Sequence, residues 1–149
     1  VGGCHMSMCA VETNGAAWCW GDNISGVLGD GANTARANPS RVAVITNAAK
    51  IGTGFSTSCA ATVTDDVFCW GANLAGELGV SNMTLAQSST PLQVPFFNGM
   101  HVDEIETGCA STCVLSGHDV YCWGENSKAV IDDTGVDAFA PTLRTALPF

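Results

Sequence analysis

The chain has 149 residues, of which 46% are hydrophobic and only 13% are charged; this balance suits a compact globular protein and argues against disorder. Its formal net charge is −9, and no Lys or Arg occurs between Lys50 and Lys128. A protein that binds nucleic acid or an anionic membrane needs clustered basic residues on its surface. In addition, no segment approaches the roughly 20 consecutive apolar residues that span a bilayer. We therefore expect neither nucleic-acid binding nor insertion into a membrane.

The sequence contains three copies of one composite pattern. Each copy has the tripeptide Cys-Trp-Gly, an aromatic residue just ahead of it, an Asn two positions after it and a second cysteine nine or ten positions upstream. The tripeptides lie at residues 19–21, 69–71 and 122–124. They divide the chain into repeats 1–50, 51–104 and 105–149. A period of about 50 residues favours propeller blades over short solenoid turns.

The repeats also share turn signals. The sequence Gly-x-Leu-Gly, a turn that lets two chain segments approach closely, occurs at residues 26–29 and 76–79 and has decayed to Ala-Val-Ile-Asp at 129–132. Gly or Asp residues that suit a tight hairpin stand midway between the two cysteines of each repeat. No segment has a helical period. We therefore predict an all-β fold with four short antiparallel strands per repeat, the third repeat being degenerate.

The second repeat shows the pattern most completely. It reads Ile-x-x-Gly from Ile51, Cys-Ala at 59–60, Cys-Trp-Gly-x-Asn at 69–73 and Gly-x-Leu-Gly at 76–79. This pattern resembles the cysteine-bearing variety of the regulator of chromosome condensation repeat. That family forms β-propellers, typically of seven blades, so the resemblance implies a radial stack of four-stranded sheets. Since three repeats cannot close such a ring, we expect one structural domain that is a fragment of a longer chain, the alternative being that other chains supply the missing blades.

The chain departs from the family's usual pattern. The family's usual His near the start of one strand is replaced by Ser7, Thr57 and Ser111 in the three repeats. The sequence also lacks an inserted wedge of the kind that the founding nuclear member uses on its GTPase partner. The resemblance therefore implies the fold but not the exchange activity.

Six of the eight cysteines form three pairs at fixed repeat positions. The pairs are Cys9 with Cys19, Cys59 with Cys69, and Cys113 with Cys122. Because a turn lies midway between the two members of each pair, they would face each other across an antiparallel hairpin, close to disulfide geometry. Such bridges contribute about 2.5–3 kcal/mol each by the chain-entropy argument and persist outside the cytosol. The pattern predicts three hairpin disulfides in a secreted or cell-surface protein.

Zinc binding is the rival interpretation of the cysteines. The tightest spacings, Cys4 to Cys9 and Cys109 to Cys113, lie in different repeats, and the three histidines occupy unrelated repeat positions. Zinc ligands must converge on one point, so we expect no metal site and no cofactor. Cys4 and Cys109 are left over, and we predict that their disulfide partners lie outside this segment.

Two other residue types are candidates for function. Asn23 and Asn82 begin Asn-x-Ser/Thr triplets and are candidate N-glycosylation acceptors, Asn82 being the better one because it lies in a connector rich in Ser and Thr. Trp20, Trp70 and Trp123 would suit sugar stacking, but their recurrence at one repeat position favours packing in the core.

No combination of nucleophile, base and acid indicates catalysis. We hypothesise a non-catalytic extracellular scaffold whose loops and edges bind other proteins or further blades, within a larger cell-surface or filamentous assembly of identical or different chains. The alternative is a discrete binding module, such as an enzyme inhibitor or a lectin-like propeller, which would need an exposed aromatic cluster on one face. An intracellular GTPase exchange factor conflicts with the paired cysteines.

Overall fold

The computed structural model describes residues 6–80, 84–128, 131 and 134–144. Within them the chain forms eleven strands and one short 3-10 helix. The elements are β1 (Ser7–Val11), β2 (Ala17–Gly21), β3 (Arg36–Arg41), β4 (Ala48–Thr53), β5 (Thr57–Thr62), β6 (Val67–Ala72), β7 (Gln87–Gln93), the 3-10 helix (Pro95–Phe97), β8 (Glu104–Thr107), β9 (Ser111–Ser116), β10 (Asp119–Gly124) and β11 (Ala138–Arg144). The all-β prediction is confirmed, and none of the helical structure in the described residues is long and apolar enough to cross a bilayer.

The strands form three antiparallel sheets, which we call blade 1, blade 2 and blade 3. Blade 1 has the order β1-β2-β3, blade 2 the order β4-β5-β6-β7 and blade 3 the order β8-β9-β10-β11. Blades 2 and 3 therefore have the four strands expected of a propeller blade, and the described residues of blade 1 supply three.

Each blade is built around a hairpin that holds one cysteine pair. In blade 2, Cys59 on β5 lies directly opposite Cys69 on β6, and the turn between them is closed by Asp65, whose φ is 62°. Glycines with positive φ occupy the corresponding turns, Gly15 in blade 1 (83°) and Gly117 in blade 3 (61°). The hairpin turns thus form where the sequence predicts them, at Gly and Asp residues that tolerate left-handed backbone.

The Gly of each Cys-Trp-Gly tripeptide marks a bulge. At Gly71 the φ angle is 106°, and a Cβ atom there would lie 2.2 Å from the carbonyl oxygen of Ser56. The close approach lets the backbone N–H of Ala72 donate to that same oxygen at 2.8 Å. The pairing register with β7 shifts between Cys69 and Gly71, so the outer strand is offset at this point.

The core consists of two apolar layers, one between each pair of neighbouring blades. The layer between blades 1 and 2 contains the Cys9–Cys19 bridge, Leu28, Val42 and Trp70. The layer between blades 2 and 3 contains the equivalent residues, which are the Cys59–Cys69 bridge, Leu78, Val94 and Trp123. The three repeats therefore stack face to face, each burying its apolar side against the next.

Candidate interaction surface

Trp70 shows how one blade docks on its neighbour. Its side chain is fully buried, and its indole Nε1 donates a hydrogen bond of 2.8 Å to the carbonyl oxygen of Val27 in blade 1. Gly29 lies against the same ring, where a Cβ atom would come within 2.6 Å of Nε1. The turn at residues 26–29 thus supplies both an acceptor and a flat surface for the tryptophan.

The contact recurs between blades 2 and 3. Trp123 is fully buried and donates its indole N–H to the carbonyl oxygen of Glu77 at 2.8 Å. A Cβ atom on Gly79 would lie 2.9 Å from the indole nitrogen. Gly-x-Leu-Gly is therefore a blade-docking turn: its second residue accepts the hydrogen bond, its Leu is buried and its last Gly admits the ring.

The disulfides lie on the other face of each hairpin, toward the following blade. The described structure contains the three predicted bridges, with Cα–Cα distances of 4.1, 4.1 and 4.2 Å. Cys9 and Cys59 are fully buried, and their sulfur atoms lie 4.0 Å and 3.6 Å from the hydroxyls of Ser58 and Thr112 in the next blade. Cys113 is only half-buried because it faces the outer side of blade 3.

Trp20 departs from the expectation that all three repeated tryptophans are core residues. It is partly exposed, whereas Trp70 and Trp123 are fully buried. The physical reason is its position: it points to the side of blade 1 that no described residue covers. Trp20, Trp18, Ala10, Glu12 and Pro39 line an open, largely apolar hollow of about 430 Å³ on that side, which we call the open face.

The candidate glycosylation residue Asn23 is buried in the folded protein. The side chain of Asn23 is fully buried, and its Nδ2 atom, to which a glycan would be attached, donates to Asp30 Oδ1 (3.2 Å) and to the carbonyls of Ala32 (3.0 Å) and Thr34 (3.2 Å). Its Oδ1 accepts from the Leu28 N–H at 3.0 Å. Asn23 therefore holds the docking turn in place and is not presented to solvent.

Asn73 and Asn126 hold the equivalent turn segments of the other two repeats. Their Oδ1 atoms accept from the backbone N–H of Leu78 (3.0 Å) and Ile131 (2.7 Å). Sequence reasoning missed this role, although the recurrence of Asn at one repeat position in all three copies is a usable signal.

The remaining predicted site residues are less informative. Asn82 and Cys4 lie outside the described residues. Cys109 is exposed in the loop between β8 and β9, and an external disulfide partner for it stays a prediction. Within the described ranges no three His, Cys, Asp or Glu side chains are grouped so that they could hold a metal ion.

A buried carboxylate fixes the shape of the chain that follows the first docking turn. Asp30 has a side chain only 4% exposed and accepts hydrogen bonds from Arg36 Nε (2.9 Å), Ser40 Oγ (3.1 Å) and the Ala32 N–H (3.0 Å). Burial raises the pKa of this carboxyl, but the hydrogen bonds from Arg36, Ala32 and Ser40 outweigh burial and leave the pKa below its ordinary value of 3.8.

A second polar cluster connects blade 2 to the segment that leads into blade 3. His101 Nδ1 lies 2.9 Å from Asp65 Oδ1, and its Nε2 lies 3.5 Å from Asp103 Oδ1. Asp103 also accepts from the Gly117 N–H at 2.6 Å, which ties the blade 3 hairpin to the same cluster. The histidine is 70% exposed, so this contact is a surface link between two hairpin ends.

Comparison with known families agrees with this architecture. Two models of the regulator of chromosome condensation (RCC1) repeat match the chain, one over residues 64–115 and the other over residues 48–77. With the stacked four-stranded sheets, these matches define the class of protein: the chain forms blades of an RCC1-like β-propeller.

Solved structures share the same fold. Human WBSCR16 superposes with a TM-score of 0.82 at 20% identity, over 96% of this chain and 38% of that one. Prp20p from Saccharomyces cerevisiae gives a TM-score of 0.77 at 18% identity, over 94% and 36% of the two chains. Yeast RCC1 (Prp20), in a complex with Kap60, gives 0.80 at 18% identity, over 97% and 37%. The chain thus spans a little over one third of the length of the propellers that it matches.

Proposed function

We propose that this chain is part of a non-catalytic scaffold that makes protein–protein contacts outside the cytosol, at a cell surface or within a filamentous assembly. The observation that carries the proposal is the burial of the hairpin disulfides Cys9–Cys19 and Cys59–Cys69 inside the blade stack. Bridges at the centre of the packing form during folding and persist in an oxidising compartment. The stack is then a rigid, oxidised platform.

Protein partners are the natural ligands of such a platform. The yeast propeller Prp20p is described with binding properties toward Gsp1p and histones, and the yeast RCC1 structure contains Kap60. At 18% identity these partners do not transfer to this chain, but they support protein binding as a use of this fold. Guanine-nucleotide exchange is not part of the proposal, because nothing in the sequence corresponds to a GTPase-engaging wedge.

A discrete binding module, such as an enzyme inhibitor or a lectin-like propeller, is the second candidate. The observation that favours it is the open face, where Trp18 and Trp20 offer two partly exposed indoles to a hollow of about 430 Å³. Against it stands the equivalence of Trp20 with Trp70 and Trp123, each of which packs on a neighbouring blade. The scaffold therefore remains the first choice.

The test is to isolate the native protein from its source after blocking free thiols before cell disruption. The scaffold proposal predicts recovery in the extracellular or surface fraction, with the three cysteine pairs protected from the blocking reagent, in a complex larger than the 15.3 kDa chain. Recovery from the cytosol with those six thiols blocked would contradict it. Saturable binding of one sugar, abolished by Trp20→Ala, would favour the lectin-like alternative.

A further inference from the structure

We infer that Asn98 is a site of spontaneous chemical modification, where the Asn-Gly pair 98–99 converts through a cyclic succinimide to aspartate and isoaspartate, while the Asn-Gly pair 14–15 is protected by its hairpin. The sequence contains Asn-Gly at these two places. Glycine after asparagine favours this reaction, because no side chain obstructs the approach of its backbone nitrogen to the asparagine side chain. The two pairs share this chemistry and differ in how the fold holds them.

The reaction needs only water and a base. The base takes the proton from the Gly99 N–H, the backbone nitrogen forms a bond to Cγ of Asn98, and the bond from Cγ to Nδ2 breaks as ammonia leaves. Water then opens the succinimide. Opening at Cγ gives aspartate, whereas opening at the main-chain carbonyl gives isoaspartate, in which the chain runs through the side-chain carbons. The reaction therefore requires a backbone N–H without a partner and free rotation about the bond from Cα to the carbonyl carbon of the asparagine.

The pair 98–99 meets both requirements. Asn98 directly follows the 3-10 helix Pro95–Phe97, and its exposed side chain makes no hydrogen bond to any described residue. The Gly99 N–H likewise has no acceptor among the described residues. Gly99 is exposed with a φ of 77°, and a Cβ atom placed there would meet nothing within 4 Å. The turn can therefore rotate without displacing a neighbour, and the hydrogen bond that the rotation disturbs is the one from the Met100 N–H to the Phe97 carbonyl.

The hairpin turn of blade 1 blocks the same reaction at the pair 14–15. Exposure does not separate the two sites, because the side chain of Asn14 is also exposed. Its Oδ1 accepts from the Ala16 N–H at 2.8 Å and its Nδ2 donates to Glu12 Oε2 at 2.9 Å, which fixes the side-chain amide. The Gly15 N–H donates to the Glu12 carbonyl at 2.9 Å, and the Gly15 carbonyl accepts from the Ala48 N–H at 2.9 Å. Attack therefore requires the turn to open, and the population of open turns limits its rate.

Reaction at Asn98 changes the connector between blades 2 and 3. Each product adds a negative charge to a chain whose formal net charge is already −9. Isoaspartate also lengthens the backbone directly after Phe97, a buried residue whose ring centroid lies 5.8 Å from that of Tyr121 and 5.6 Å from that of Trp123. Because the ammonia is lost, the products accumulate. The native protein should therefore be a mixture of charge forms whose acidic share rises with its age.

To test this, the full chain with its bridges intact is incubated in mildly alkaline buffer, and both asparagines are followed by mass spectrometry. Samples are reduced and digested with pepsin at acidic pH, where the reaction is slow, and replacement of the amide by a hydroxyl raises the mass of the affected peptide. Isoaspartate is identified by its methylation with protein-isoaspartate methyltransferase. We expect Asn98 to react at least about tenfold faster than Asn14 in the folded chain.

The unfolded chain and one variant are the matched controls. After reduction, thiol blocking and unfolding in guanidinium chloride, the two pairs lose their different surroundings, and we expect their rates to agree within about threefold. Gly99→Ala places a side chain on the attacking residue where the fold has room for it. It should slow the reaction at Asn98 by at least about fivefold, while continued protection of Asn14 verifies that the variant folds.

Rates that agree within about threefold in the folded chain would overturn the inference, as would faster reaction at Asn14. A difference between the sites that persists undiminished after unfolding would also contradict it, because the neighbouring sequence and not the fold would then select the site. None of these outcomes depends on the compartment or the partners of the scaffold, which the thiol-blocking experiment on the native protein tests separately.

Discussion

The buried asparagines show how a repeat position outweighs a local motif. Asn23-Ile24-Ser25 fits the N-glycosylation triplet, yet the equivalent Asn73 and Asn126 begin no such triplet and make the same hydrogen bond to the docking turn. A role shared by all three copies belongs to the fold, while a triplet present in one copy is incidental. The comparison of repeats, applied residue by residue, would have identified Asn23 as structural from the sequence.

The glycosylation state of the two triplets follows from this difference. In a eukaryotic secretory host we expect no glycan at Asn23, because its Nδ2 is buried and donates to Ala32 and Thr34, while Asn82 serves as the matched acceptor in the same chain. Peptide mapping after enzymatic deglycosylation reads both sites, since the enzyme converts a glycosylated Asn to Asp. A glycan at Asn23 of folded protein would contradict the described turn.

Asp30 gives the stability of the protein a defined response to acid. Its pKa in the folded state lies below the ordinary 3.8, so its stabilising effect is complete above that value and is lost as the pH falls through the folded pKa. We expect Asp30→Asn to lower the free energy of unfolding by about 1–3 kcal/mol at neutral pH, with the difference shrinking below about pH 4. Urea titrations of both proteins across this range test it; a difference that does not change with pH would contradict the charged role of Asp30.

Because Gly79 lies so close to Trp123, replacing this glycine should destabilise the protein by more than backbone strain alone. Gly79 and Gly117 have similar φ angles of 65° and 61°, but a Cβ atom added at Gly79 would lie 2.9 Å from the indole nitrogen, whereas one added at Gly117 would meet nothing within 4 Å. Gly117→Ala should therefore destabilise the protein by about 1–2 kcal/mol through the left-handed backbone alone. Gly79→Ala should cost clearly more, about 3 kcal/mol or above, in chemical denaturation. Equal losses for the two variants would mean that the tryptophan is not seated on the turn.

At the scale of the elements, the hairpins were the most predictable part of the fold. Cysteines nine or ten positions apart with Gly or Asp between them specify both the pairing of two strands and the place of the turn. The face of the hairpin that meets the next blade was not predictable, because strand alternation fixes two faces without saying which neighbour covers each. Trp20 illustrates the limit: its repeat position predicts burial, and its exposure depends on what lies against blade 1.

The bridge in blade 2 should contribute substantially to stability. Replacing Cys59 and Cys69 together by Ala removes a cross-link that closes a loop of about ten residues, and we expect a loss of about 2.5–3 kcal/mol from the constraint on the unfolded chain. The control compares the same two proteins in the presence of a reductant that opens the bridge in the unfolded state. The difference between their free energies of unfolding should then become smaller. An unchanged free energy of unfolding under oxidising conditions would show that this bridge does not form.

At the scale of the whole molecule, the stack depends on contacts between distant repeats. The hydrogen bond from Trp70 to Val27 spans 43 positions and that from Trp123 to Glu77 spans 46, so neither follows from a local pattern. The sequence presents Gly-x-Leu-Gly as a turn of close approach but does not tell which ring it approaches. In the folded stack, the Gly-x-Leu-Gly turn of one blade and the Cys-Trp-Gly tryptophan of the next form the two sides of one interface.

Disulfide mapping of the folded protein tests the central claim, a stack of blades each closed by its own hairpin bridge. Digestion without reduction, after free thiols have been blocked, should release three linked peptide pairs joining Cys9 to Cys19, Cys59 to Cys69 and Cys113 to Cys122. Bridges between different blades would contradict the stacking, because they would require those sulfur atoms to leave the hairpins that hold them. Six blocked thiols in the folded protein would contradict the oxidised scaffold as a whole.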